Sequence, residues 1–366
     1  MLYYDFMVEK RIKKIQEELR KKNCDAFLVT NPSNIFYLSG LKGAAEEREF
    51  LMIILKDGFR VITTRIYQAE IKKKIPQKNF IIAKERGSLF EEALKVLRKH
   101  QRIGFEKEDL KYDEYENLKE NLGERRFLPL FRITEDLRRN KDREEIKIIK
   151  KAAEITDKTF YSILKIIKPG LTEKFIQRKL IETMEDLGVE GLSFEPIIAS
   201  GKGSAEPHYS LSNRKITNNE ILLIDMGAKY KGYCSDFTRT IFIGKAPERF
   251  RRLYNIVLGT QEMAIKKCRG GYSIKKLYQE AAENFRKYKE DKYFLHGLGH
   301  GVGIEIQESP NIAENSEGRF ENGMVFTIEP GLYHKNFGGI RIEDLCLINE
   351  GCQVLSKATK ELIEIK

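Results

Sequence analysis

Ile221-Leu222-Leu223-Ile224-Asp225 is an unbroken apolar run that ends in a carboxylate, and Asp236-Phe237-Thr238-Arg239-Thr240-Ile241 opens the next run with another. The first run reads as a buried strand, and the turn Tyr230-Lys231-Gly232 lies between the two. Paired as a hairpin centred near Tyr230 and Lys231, the strands would set Asp225 opposite Asp236. Directly opposed residues have Cβ atoms ~4.5–5.5 Å apart. Two carboxylates that close repel each other unless a cation or a shared proton sits between them. Asp is also common as a turn cap at strand ends, so the pair alone leaves a metal site and two caps as open alternatives.

Downstream, further groups of the same kind follow. In His296-Gly297-Leu298-Gly299-His300-Gly301-Val302-Gly303 the glycines predict an extended segment rather than a helical histidine pair. Residues four apart in a strand share a face but lie ~13 Å apart along it, so one histidine can bind a metal while the other lines the pocket. The glycines imply close approach of the backbone to a ligand or another strand. Thr327-Ile328-Glu329-Pro330-Gly331 puts Glu329 at the end of the apolar strand Met324 to Ile328. Ile340-Arg341-Ile342-Glu343-Asp344 puts Arg341 and Glu343 on one face of an alternating strand, where Arg341 could simply neutralise Glu343. Acids flanked by apolar residues are costly to bury unless paired. Asp225, Asp236, Glu329 and Glu343 carry four negative charges and neutral His300 can join them, which suits two divalent cations ~3.5–4 Å apart. Oxygen-rich ligation with one imidazole favours Mn2+, Co2+ or Fe2+, with Zn2+ also admissible.

Upstream the pattern is different. Val8 to Lys22 is a predicted amphipathic helix, Ala26 to Thr30 a strand, and Asn31-Pro32-Ser33-Asn34 a loop. Phe50 to Leu55 and Phe59 to Thr64 are strands around Asp57-Gly58, Ser88 caps a helix to about Arg98, and Arg102 to Phe105 is another strand. This alternation predicts an α/β domain with no chemistry of its own. A charged stretch, Glu135 to Glu145, follows, with Asp142 as a helix N-cap and acids in the first turn. Thr172 opens the next helix, and from Ser193 strands and turns dominate, with one further helical stretch from Glu248 to Cys268. The expected domains are 1–134 and 135–366.

Length and composition bound the function. The chain has 366 residues, enough for two domains at ~150 residues each. Its formal charge is +11, but the basic residues sit in short clusters at helical spacing, which argues for solvated faces and against nucleic acid as partner. Five scattered cysteines with no CxxC exclude a disulfide scaffold and a cysteine zinc site, and fit a reducing compartment. Met1 to Lys10 lacks the apolar core of a signal peptide, and no apolar run approaches the ~18 residues of a membrane span. The expectation is a soluble, cytoplasmic protein.

With these motifs the chain resembles the M24 metallopeptidases of the pita-bread fold, which include prolidase (Xaa-Pro dipeptidase), aminopeptidase P and methionine aminopeptidase. Asn31-Pro32-Ser33-Asn34-Ile35-Phe36-Tyr37-Leu38-Ser39-Gly40 looks like the opening of a creatinase-type N-terminal domain, and Lys141-Asp142 through Glu145-Ile146 like the start of the interdomain helix. The resemblance implies an α/β creatinase-like domain followed by an α+β pita-bread catalytic domain, in the prolidase and aminopeptidase P branch. It implies that Asp225 chelates one metal, that Asp236 and Glu343 bridge two, and that His300 and Glu329 complete the second. Glu329 would also exchange a proton with the attacking water. His208 and His296 match the pocket histidines, Arg341 and Tyr333 match residues that support the bridging Glu and the site wall, and Asp344 would orient the ligands. The implied cofactor is a pair of divalent ions, Mn2+ first. The implied substrates are proline-containing di- or oligopeptides, and the implied assembly is a homodimer.

Two positions depart from the family pattern. Gln307 stands seven residues after His300, where relatives usually carry a His, and Gln cannot carry a proton. Thr64-Arg65-Ile66-Tyr67 replaces an Asp and an Arg-Tyr pair in the N-terminal domain. The expected function is hydrolysis of the bond between an N-terminal residue and proline. The alternative, on the strength of Gln307, is a catalytically weakened or non-catalytic binding protein on the same scaffold.

Overall fold

The computed structural model describes residues 2–43, 48–123 and 126–366, and the chain divides into two compact units, Met1–Arg138 and Arg139–Lys366. The first unit runs α1 (Leu2–Lys21), β1 (Ala26–Val29), α2 (Pro32–Ser39), β2 (Phe50–Leu55), β3 (Gly58–Thr64), α3 (Gln68–Lys74), β4 (Phe80–Ala83), α4 (Leu89–Leu97), β5 (Ile103–Glu106), α5 (Tyr112–Leu122), β6 (Phe127–Leu130) and α6 (Ile133–Arg139). Its six strands form one sheet in the order β4-β3-β2-β1-β5-β6. The pairs β1–β2 and β2–β3 are antiparallel and β3–β4, β1–β5 and β5–β6 are parallel. Strand β2 is buried along its whole length, which is why it reads as a continuous apolar run. Ile53 and Ile62 are wholly buried, and truncating either to Ala would cost about 2–5 kcal/mol.

The stretch Asn31 to Asn34 is not a loop. Asn31 Oδ1 accepts from the Asn34 amide, Pro32 occupies the first helical turn, and α2 runs to the left-handed Gly40. Proline needs no amide partner at that position and its fixed φ suits it, so Asn-Pro here starts a helix.

The second unit opens with α7 (Arg143–Leu164), held by a reciprocal cap between Asp142 and Glu145, and α8 (Glu173–Asp186), capped by Thr172. Then come β7 (Gly191–Leu192), β8 (Ile197–Ser200), β9 (Glu220–Met226), β10 (Ala228–Tyr230), β11 (Tyr233–Cys234), β12 (Phe237–Ile243), α9 (Glu248–Lys267) and α10 (Ile274–Lys287). The chain ends with β13 (Gly299–Gly301), β14 (Glu308–Ile312), β15 (Val325–Ile328), β16 (Gly331–His334), β17 (Gly338–Arg341), β18 (Asp344–Asn349), β19 (Gly351–Val354) and β20 (Glu364–Ile365). The strands form sheets β20-β12-β9-β8, β14-β13-β15-β18-β19, β11-β10-β7 and β16-β17. Helix α10 is a second helix beyond Glu248 that the sequence reading did not expect. Ile274, Leu277, Ala281 and Phe285 bury one face of it among charged neighbours. Among the described residues no helix is long and apolar enough to cross a membrane.

The β9–β12 hairpin also differs from the expected register. Thr238 opposes Asp225 and Phe237 opposes Met226, so Asp225 and Asp236 are not directly opposite. Lys231 and Gly232 both have positive φ (47° and 84°), and they form the two-residue tip between Tyr230 and Tyr233. A tip of that type needs both central residues at positive φ, which moves the hairpin axis to the Lys231–Gly232 bond. Continued through Gly227, this register makes Asp225 and Asp236 diagonal neighbours on one face.

Candidate active site

Asp225 ends β9, and Asp236 precedes β12 with its Oδ1 accepting from the Phe237 amide at 3.0 Å. His300 sits in β13 between two glycines that close packing requires. A Cβ on Gly299 would strike the Thr327 carbonyl of β15, and one on Gly301 the Ser309 carbonyl of β14. Glu329 follows β15 directly. Glu343 lies where the chain leaves β17 for β18, and its amide donates to the Thr238 carbonyl at 3.1 Å.

These five side chains converge. His300 Nε2 is 3.6 Å from Asp236 Oδ2 and 3.4 Å from Glu329 Oε1. One ligand atom from each of Asp236, His300 and Glu343 lies within 4.8 Å of the others. The direct partner of Arg341 is Asp225 and not Glu343, the pairing the sequence allowed. Arg341 Nη2 is 2.5 Å from Asp225 Oδ2, its Nη1 donates to Tyr333 Oη at 2.8 Å, and its Nε donates to Thr238 Oγ1 at 3.1 Å. Glu343 instead accepts from the Thr238 hydroxyl at 2.5 Å.

The electrostatics of the cluster are those of an acidic centre short of cations. Burial raises Asp225, Asp236 and Glu343 above the ordinary carboxylate range, with the neighbouring carboxylates adding to the effect. Arg341 is the buried cation that acts against that rise. Asp225 Oδ1 is buried with no hydrogen-bond donor. His300 Nδ1 contacts the Gly301 carbonyl at 3.1 Å, and a carbonyl only accepts, so that nitrogen carries the proton. Its Nε2 is thereby turned toward the oxygens of Asp236 and Glu329. An imidazole nitrogen and two carboxylates that face one another are together the donor set of a bound cation. The donor set fits divalent metal ions.

The pocket wall follows the same logic. His296 Nδ1 donates to the Gly297 carbonyl at 2.7 Å, so Nε2 accepts the Tyr333 hydroxyl proton at 2.8 Å, and Tyr333 in turn accepts from Arg341. Burial pushes His296 below its usual value, which matches a neutral ring. His208 lies exposed beyond the turn Gly201–Ala205. Gln307 is exposed between β13 and β14. The adjacent Glu308 has a structural task, pairing with Lys141 Nζ at 3.0 Å and accepting from the Glu305 amide at 3.1 Å.

Four supporting residues are not evident from the sequence. Thr238 joins Arg341 to Glu343. Thr327 Oγ1 accepts from the His300 amide and donates to Glu329 Oε1, both at 3.0 Å. Buried Arg239 donates to the Glu343 carbonyl at 2.6 Å and pairs with Asp344 Oδ1 at 2.7 Å, while Gln261 Nε2 donates to Asp344 Oδ2 at 3.0 Å. Alternation carried a signal for two of them, since Thr238 shares a strand face with Asp236 and Thr327 with Glu329. Arg239 points to the opposite face, where only the folded chain shows what it meets.

The chain is similar to known proteins along nearly its whole length. The profile of metallopeptidase family M24 matches residues 147–350, and that of the creatinase/prolidase N-terminal domain matches residues 11–139. The Xaa-Pro dipeptidase of Pyrococcus furiosus is 35% identical over 364 residues, covering 97% of this chain and 100% of that protein. The solved Xaa-Pro dipeptidase of Bacillus anthracis superposes with a TM-score of 0.92 at 33% identity, over 98% of this chain and 100% of its own. The X-Pro aminopeptidase of Thermotoga maritima superposes with a TM-score of 0.86 at 31% identity, over 94% and 98%.

Proposed function

We propose, for a chain that belongs to metallopeptidase family M24, that it hydrolyses the peptide bond between an N-terminal residue and proline, acting on dipeptides. The relatives named Xaa-Pro dipeptidases, similar along nearly the whole chain, support this substrate class. The observation that carries the reading is His300 Nε2 turned toward the carboxylates of Asp236 and Glu329, at 3.6 and 3.4 Å. Nothing in the fold or the comparisons favours a non-catalytic scaffold.

Asp225, Asp236, His300, Glu329 and Glu343 are the proposed ligands of two divalent ions, with Mn2+ the preferred metal. Ions held there supply Lewis acidity and lower the pKa of a water to near neutrality. The rest falls to this chain's own side chains. Glu329 and His300 keep 15% and 16% of their side-chain surface open, against 6% for Asp236, so Glu329 is the acid that meets the pocket. It takes the proton from the attacking water and delivers it to the proline nitrogen, which cannot leave as an unprotonated secondary amide anion. Thr327 fixes the Glu329 carboxylate for that transfer. His208 donates a hydrogen bond toward the carbonyl oxygen of the scissile bond. His296 is held neutral by burial, is oriented by Tyr333, and shapes the wall. A cytoplasmic location and a homodimer belong to the same proposal, and light scattering of the purified protein tests the latter.

The test is release of proline from Xaa-Pro dipeptides and of the first residue from Xaa-Pro-Yaa tripeptides, with Mn2+ and with Co2+, against chelator controls. Metal-dependent cleavage confined to dipeptides is expected. Cleavage of tripeptides would move the assignment to aminopeptidase P, and silence on both with metal bound would refute it.

A further inference from the structure

Three of the five cysteines, far apart in sequence, meet at the end of α9. Arg269 and Gly351 form an antiparallel bridge, which sets Cys268 directly opposite Cys352. Opposed residues in such a pair have Cα atoms ~4.5–5.5 Å apart, inside the ~4.4–6.8 Å range that a disulfide spans. Cys346 approaches from the other side. In the β18–β19 pair it faces Val354 while Ile348 faces Cys352, so Cys346 and Cys352 are diagonal neighbours on one face. Diagonal positions are ~7–8 Å apart, beyond the usual reach of a disulfide without backbone movement.

Cys268 and Cys346 are buried, whereas Cys352 is partly exposed. The neighbouring thiols of Cys268 and Cys346 push Cys352 down to about 5, while both neighbours are pushed up. Lys360 favours the Cys352 thiolate and Asp344 opposes it. The three sulfurs are not all mutually within 4.8 Å. Among the described residues, the one group of three or more ligand atoms all mutually within 4.8 Å is Asp236, His300 and Glu343. This arrangement speaks against a soft-metal site and for thiol chemistry between neighbours.

We propose that Cys352 is a peroxide-reactive thiol and Cys268 its resolving partner, the two closing a reversible disulfide. The Cys352 thiolate attacks one oxygen of a hydroperoxide. An S–O bond forms, the O–O bond breaks, and the alkoxide or hydroxide that leaves takes up a proton. Sulfur is oxidised by two electrons to the sulfenic acid and the peroxide is reduced by two. The Cys268 sulfur, giving up its proton, then attacks the Cys352 sulfur. The S–S bond forms, the S–O bond breaks, and water leaves. A dithiol reductant reverses the bond by exchange. The segment so enclosed, residues 269–351, carries His296, His300, Glu329, Arg341 and Glu343, so oxidation ties a covalent loop around most of the acidic centre.

The test uses the full-length reduced protein. It is treated with hydrogen peroxide, alkylated, digested and mapped by mass spectrometry. A Cys268–Cys352 cross-link that forms before any other thiol reacts, and that dithiothreitol removes, is expected. Cys268→Ser should leave a Cys352 sulfenic acid that dimedone traps, and Cys346→Ser should still form the link. A bond mapped to Cys346, earlier oxidation of Cys24 or Cys234, or five unchanged thiols would overturn the proposal. So would stoichiometric Zn2+ that shields all three thiols from alkylation. The wild-type map decides even where a variant folds poorly.

Discussion

The Arg341 guanidinium holds Asp225 Oδ2 at 2.5 Å, while Oδ1 of the same carboxylate is buried with no donor. One arginine therefore satisfies half of one acid in a cluster of four. Divalent ions that bind this folded cluster and not the unfolded chain must stabilise it by mass action. At 100 times the dissociation constant the gain is about 2.7 kcal/mol. The thermal midpoint should fall when the protein is stripped by chelator and recover with Mn2+. Scanning calorimetry checks this, and equal midpoints with and without metal would refute the metal centre.

Arg341 also reaches Tyr333 and Thr238, so its planar fork holds three partners on three elements. A lysine ammonium keeps the charge but cannot span them. Arg341→Lys should lower kcat/KM by about 10–100-fold, the usual cost of disturbing groups that orient ligands. Circular dichroism should stay unchanged. Undiminished turnover would show that Arg341 only balances charge.

Glu329→Gln keeps the shape of the side chain and its contact with Thr327, but removes the proton carrier. At saturating Mn2+, kcat should fall by about 10²–10⁴, the range for loss of a general acid–base group. Metal content, measured by plasma mass spectrometry on the same sample, separates loss of proton transfer from loss of metal. Full turnover with both metals retained would remove Glu329 from the mechanism.

The parts of this site that are legible in sequence are those whose chemistry is locally anomalous. Asp225, Glu329 and Glu343 stand out because each ends or interrupts an apolar run, and His300 because glycines surround it. What sequence cannot supply is relative position. The two-residue shift in the β9–β12 pairing depends on Lys231 adopting positive φ, which no composition rule assigns to a lysine. The choice of Asp225 over Glu343 as the partner of Arg341 arises because the chain changes sheets at Ile342, between β17 and β18. Helix α10 was hidden because charges dilute its apolar face, and α2 because Asn-Pro suggests a turn. The cysteines looked scattered for a similar reason, since Cys268 and Cys352 become neighbours only through the Arg269–Gly351 bridge.

Glu106, at the end of β5 in the first unit, gives a prediction independent of the acidic centre. It is buried, and its carboxylate accepts from the amides of Thr30 and Asn31 at 2.7 Å each and from Asn34 Nδ2 at 2.6 Å. Burial is the largest influence and Glu135, across Asn34, adds to it; the donors offset part of this, leaving the group at about 7. An unfolded Glu titrates near 4.3, so between about pH 4.5 and 7 the native unit binds the proton and the unfolded chain does not. Stability therefore falls as pH rises through that window and levels off above it, by on the order of 3 kcal/mol. Hydrogen exchange of the β1 and β5 amides, corrected for intrinsic rates, should show protection that declines from pH 5 to pH 8. Glu106→Gln carries no titrating proton and should flatten the decline. A slope that persists unchanged in Glu106→Gln would assign it to another group.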